Sequence, residues 1–135
     1  MRLYENESNI DIIRIKTPEH NNKFYRQIFM FLIYSFRTII YSFKQKHLFD
    51  HIFITSSRFG TAILGYLISI ILNKPLYVDI RDIFSDSLSA INKLDNIFGK
   101  IFISVIKKLE KRILNKAKWV NFVSPGFLDS FNTIL

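Results

Sequence analysis

The chain has 135 residues, 49% of them hydrophobic and 22% charged, with only 4 Gly and 3 Pro; that composition builds one core of ordinary domain size and excludes a disordered or collagen-like chain. There is no Cys, which excludes a disulfide scaffold, a thiolate metal site and a Cys nucleophile, and fits a reducing compartment. The net charge of +8 calls for an anionic partner: nucleic acid, a membrane surface or a phosphorylated ligand.

The opening MRLYENESNI is acidic and polar where a signal peptide needs a basic and then an apolar run. Residues 10–16 (IDIIRIK) read as a first strand, ended by Thr17-Pro18. Residues 24–46 are too long for a strand and read as a helix. Residues 51–55 (HIFIT) form a second strand. Ser56 and Ser57 then offer N-caps for a helix over Phe59–Leu72, which Asn73 and Pro75 stop. Its uncharged run falls short of the ~20 residues a membrane span needs. Leu76–Ile80 (LYVDI) is a third strand, and a polar loop follows it. A long amphipathic helix covers 97–117, and 119–123 (WVNFV) is a fourth strand. Ser124-Pro125-Gly126 opens a last helix, with Ser as N-cap and Pro in the first turn. Alternation of this kind predicts an α/β fold, a parallel sheet covered by helices on both faces.

Ligands of open parallel sheets bind beyond the carboxyl ends of the strands. Three such ends carry polar residues: Ser56, Ser57 and Arg58; Arg81 and Asp82; Ser124 and Gly126. The serines also serve as plain helix caps, and Arg81–Asp82 as a local ion pair. His20, His47 and His51 lack metal-ligand spacing, so no metal site is expected. Dinucleotide-binding, Walker and GxSxG signatures are absent.

Two helices carry basic rows. On the 97–117 helix, Lys100, Lys107, Lys111 and Lys118 fall on one stripe at about 100° per residue. Phe98, Phe102, Val105, Leu109 and Ile113 lie opposite and are expected in the core. On the 24–46 helix, Arg26, Arg37 and Lys44 line up, flanked by Phe29, Met30, Ile33, Ile40 and Tyr41. That mixture suits an anionic membrane interface; cover by a further domain part or a dimer partner is the alternative.

DIRDIFSDS, over residues 79–87, resembles the "RDLWPES" segment that follows a central strand in the N-terminal domain of glycosyltransferase family 4. ITSSRFGTAILGYLISIILNKP (54–75) is similar to that family's "SSPP…GYLLS…KP" unit. LEKRILNKAKWVNFVSPGF (109–127) is similar to its "LER…ADAVVVVSPGF" unit, and IDIIRIKTP (10–18) to an earlier strand. The blocks occur in the family's order and span nearly the whole chain. Departures are Phe84-Ser85 for Trp-Pro, Asp86 for Glu, and Arg81 where many relatives carry His.

The resemblance implies a Rossmann-like parallel sheet with helices on both faces, 1–135 forming one partial, acceptor-side domain of a GT-B enzyme of surface-polysaccharide assembly. Arg81 and Asp82 would be catalytic, lining the interdomain cleft, with Ser56, Ser57, Arg58, Ser124 and Gly126 on the substrate. A nucleotide-sugar donor, no other cofactor, no metal and a glycan or lipid-linked acceptor are implied. The donor-binding domain is expected outside these residues, so this chain alone is expected to be inactive. It is also expected to expose apolar surface. The expected location is cytoplasmic, peripheral on the inner face of the cell membrane. Two other readings remain: a non-catalytic, membrane-docking acceptor subunit paired with a separate donor-binding subunit, and a basic nucleic-acid-binding module.

Overall fold

The structure, a computed structural model, describes residues 4–7, 10–17, 24–56, 59–81 and 96–124. The expected last helix beyond Ser124 and nearly all of the polar loop after Arg81 lie outside these residues. The chain divides into two compact units, Met1–Lys46 and His47–Leu135.

The first unit opens with β1 (Tyr4–Glu7) and β2 (Ile10–Ile13), paired antiparallel with Tyr4 opposite Ile13 and Glu7 opposite Ile10. The segment expected to lead the parallel sheet is thus one arm of a separate two-stranded sheet. Polar side chains explain the pairing. Tyr4 Oη and Asn6 Nδ2 each donate to Asp11 Oδ1 at 2.6 Å, and Glu5 pairs with Arg14 at 2.8 Å. The hydroxyl bond from Tyr4, then the amide of Asn6, hold the Asp11 carboxyl below its usual range, and the same carboxylate raises the Tyr4 phenol.

Helix α1 (Phe24–Lys44) follows, 21 residues without Gly, Pro or an acidic side chain. Thr38 Oγ1 donates to the Tyr34 carbonyl at 2.8 Å. The helix closes where Gln45 N–H bonds the Tyr41 carbonyl, and a single 3₁₀ turn follows at Lys46–Leu48. Along α1, Tyr25, Ile28, Phe29, Leu32, Phe36, Ile40 and Phe43 are all exposed.

The second unit is a three-stranded parallel sheet in the order β3 (Ile52–Ser56), β4 (Leu76–Ile80), β5 (Ala117–Phe122). Helix α2 (Phe59–Leu72) links β3 to β4, and α3 (Ile97–Lys116) leads into β5. Strand alternation sends Leu76, Val78 and Ile80 to one face. There they form a core with Ile54, Ala62 and Ile113, flanked by Phe59, Ile63, Tyr66, Leu114, Val120 and Phe122. Both helices therefore pack on the same face of this sheet. Full burial of a side chain such as Leu76 contributes about 1.5–3 kcal/mol.

Small residues let α2 sit close. A Cβ built on Gly65 would lie 2.1 Å from Ile54 Cγ2, so only glycine fits there. The stop of α2 matches expectation and has a clear mechanism. Asn73 takes a left-handed φ of 51°, Asn73 N–H bonds the Ile70 carbonyl, and Lys74 N–H bonds that of Ser69. This double closure is the Schellman arrangement, with Asn in the position glycine usually takes.

Helix α3 starts at Asn96, whose side chain accepts from Gly99 N–H at 2.7 Å. It ends at Lys116, and Ala117 is already extended, so no loop separates α3 from β5. The core face differs from expectation. Gly99, Ile106, Glu110 and Ile113 are buried, Leu109 is half-buried, and Phe98, Phe102 and Val105 are exposed, Phe98 at 80%. Among the described residues, the cluster on the sheet takes Ile113 and Leu114 from this helix and none of the apolar side chains of its first half. Lys100, Lys107 and Lys111 are exposed as expected. Lys118 is not on the helix: it is the extra residue of β5, where the register passes from Leu76–Ala117 to Tyr77–Trp119.

Candidate functional site

The face of the sheet away from α2 and α3 carries two cross-strand rows. Phe53, Tyr77 and Trp119 stand in register, and one step toward the carboxyl edge stand Thr55, Asp79 and Asn121. The outer aromatics Phe53 and Trp119 are exposed at 67% and 64%. Tyr77 between them is half-buried, with the His51 ring edge-on at 5.4 Å.

Asp79 is buried on the central strand, a costly place for a carboxylate unless both oxygens are satisfied. They are. Arg81 Nε donates to Oδ2 at 2.9 Å, and Asn121 Nδ2 donates to Oδ1 at 2.7 Å. The Arg81 bond first, then that of Asn121, hold the Asp79 carboxyl below the usual aspartate range. Asp79 is therefore ionised at neutral pH with a donor on each oxygen, and it has no proton to give as a general acid. Its physical effect is on Arg81. The guanidinium side chain is 61% exposed, and anchoring through Nε leaves four terminal N–H donors of a rigid fork to be presented at the strand end. Such a fork suits phosphate or carboxylate.

The expected residues divide as follows. Arg81 stands at the carboxyl end of the central strand and pairs with Asp79, two residues back; the expected local pair with Asp82 falls on a residue outside those described. Ser56 ends β3 opposite Ile80, level with Arg81's strand end. Ser124 is exposed just past β5, which reaches beyond β4 through Val123 N–H on the Ile80 carbonyl. Three strand ends thus meet at one edge. Asp82, Ser57, Arg58 and Gly126 lie outside the described residues, as does His20. Arg26, Arg37 and Lys44 belong to the first unit; all three are exposed, and Arg37 donates to the Lys16 carbonyl. Among the described residues no three His, Cys, Asp or Glu side chains gather as for a metal.

Asp79 and Asn121 escaped the sequence reading. The signal for Asp79 was present: one acid inside LYVDI, a strand otherwise built for burial. Asn121 had none, because its partner lies 42 residues away.

No family model, curated protein or solved structure matches the chain.

Proposed function

We propose that the second unit is the acceptor-side part of a Rossmann-like sugar-transfer enzyme of the glycosyltransferase family 4 kind, acting with a nucleotide-sugar donor on a glycan or lipid-linked acceptor. One observation carries the reading: Arg81, within the DIRDIFSDS segment, is held at the carboxyl end of the central parallel strand by Asp79, which Asn121 holds in turn. Ligands of open α/β sheets bind at such ends.

In this reading Arg81 holds an anionic group of the substrate, and Asp79 is the positioning residue that aims it. Asp82 helps orient the reacting sugar. Ser56, Ser57, Arg58, Ser124 and Gly126 line the remainder of the acceptor side. A fixed cation near the donor diphosphate stabilises the charge that develops as the leaving group departs.

Titrating the full chain with glycosyl phosphates, polyprenyl-phosphate-linked sugars and free nucleotide sugars, followed by NMR, tests it. A phosphosugar is expected to shift signals of Arg81 and Asn121. Arg81→Ala should weaken binding about tenfold or more, the scale of a lost charge-assisted hydrogen bond, and Asp79→Asn less. If folded protein binds none of these ligands, or Arg81→Ala binds as well as the parent, the reading fails. A duplex DNA titration in the same buffer, with its steep salt slope, separates the nucleic-acid alternative.

A further inference from the structure

We infer that α1 is an in-plane anchor that seats this chain on an anionic lipid surface; the inference stands on the first unit alone and does not require the sugar-transfer reading. At about 100° per residue, the exposed apolar side chains Tyr25, Phe29, Leu32, Phe36, Ile40 and Phe43 fall within about 60° of one line along the helix. Ile28 widens the same stripe. The helix of 21 residues is about 30 Å long, so the stripe is continuous over that length. Met30, Ile33 and Tyr41, which the sequence also placed on this surface, are half-buried and lie outside it.

Charge decides which occupant fits. Arg26, Arg37 and Lys44 form a row along one margin of the stripe, about 100–120° from its centre, and all are exposed. Lys46 adds a cation at the C-terminal end, its Nζ 5.5 Å from the Phe43 ring centre. The helix has no acidic residue, and in the hairpin Glu5 and Asp11 already have partners. Two copies joined through this stripe would set one basic row against another with no acid on either helix. A bilayer with anionic headgroups accepts both halves of the pattern: rings and aliphatic chains enter the acyl boundary, and the basic margin meets the phosphates. No described helix is long and apolar enough to cross a membrane, so α1 lies in the surface and does not span.

Flotation of the full chain with vesicles tests this. Binding to phosphatidylcholine vesicles containing phosphatidylserine is expected to exceed binding to pure phosphatidylcholine at least tenfold, and to weaken in high salt. Arg26→Gln with Lys44→Gln should reduce anionic binding about 25-fold, at about a fivefold loss per basic residue. Phe29→Ser with Phe36→Ser should abolish binding to both. Equal binding to neutral and anionic vesicles overturns the inference, as does binding to neither. A concentration-dependent dimer that Phe29→Ser with Phe36→Ser dissolves, without vesicle binding, also overturns it and assigns the stripe to a second copy.

Discussion

Helices α1 and α2 are made of nearly the same kinds of residue and come to opposite ends. Both are rich in Ile, Leu and aromatics, and neither has an acid. Yet α2 buries Ala62, Leu64, Gly65, Ile68 and Ser69, while α1 exposes a whole line of large side chains. The buried helix α2 is the more hydrophobic of the two and carries no charge, and the two differ in size and margin as well. Ala62, Gly65 and Ser69 recur at helical spacing and form a smooth seam that lets backbone approach the sheet. The α1 stripe has nothing smaller than Ile or Leu, and its edge is basic. A rigid sheet wants the first surface; a deformable, charged one accepts the second.

Four variants test that contrast, from the largest effect to the smallest. Leu76→Ala hollows the floor under α2 and should cost about 2–5 kcal/mol in denaturant unfolding. Gly65→Ala should cost about 1–3 kcal/mol, since the new Cβ meets Ile54; a gain near the ~1 kcal/mol of helix propensity would mean that the seam is not tight. The third is read by pH. The depressed carboxyl of Asp79 contributes stability above the ordinary aspartate pKa of about 4 and loses it as pH falls through the lower folded value. Asp79→Asn should therefore melt lower than the parent at pH 7, and the gap should close on acidification below about pH 4. A gap that widens in acid would break the assignment. Last, Phe29→Ser with Phe36→Ser on α1 should shift stability by less than about 0.5 kcal/mol per site, although each removes a whole aromatic ring. A loss comparable to that of Leu76→Ala would show that the stripe is packed in solution.

Local pattern made most elements readable. The bounds of α2 and β4 agree residue for residue with the sequence reading, because Asn73 and Pro75 punctuate the chain between them. β3 and β5 are displaced by one or two residues. What the sequence hid is pairing at a distance. YENE has no apolar alternation to mark it as β1, and its partner is recognised only once Asp11 is seen to take bonds from Tyr4 and Asn6. The faces of α3 were hidden for another reason. It carries two apolar lines, and which one is covered depends on how far a three-stranded sheet reaches, a property of no single segment. At the candidate site, Arg81 was legible from its place after a strand. The carboxylate that aims it was not, since a sequence lists neighbours along the chain and Asp79 answers across it to Asn121.

The junction of α3 and β5 sets a problem of phase. A helix turns about 100° per residue and a strand reverses at each one, and here the two meet without a loop in which to absorb a mismatch. Ile113 and Leu114 must face the same core as Val120 and Phe122. The bulged Lys118 is the odd residue between them, standing outside the ladder while Ala117 and Trp119 keep their partners. Gaining or losing a residue elsewhere in β5 would swap its faces, turning Trp119 and Asn121 inward and Val120 out. Removing Lys118 itself would leave an even ladder with the faces unchanged. The partner of Asp79 therefore depends on a count of residues, kept adjustable at one lysine.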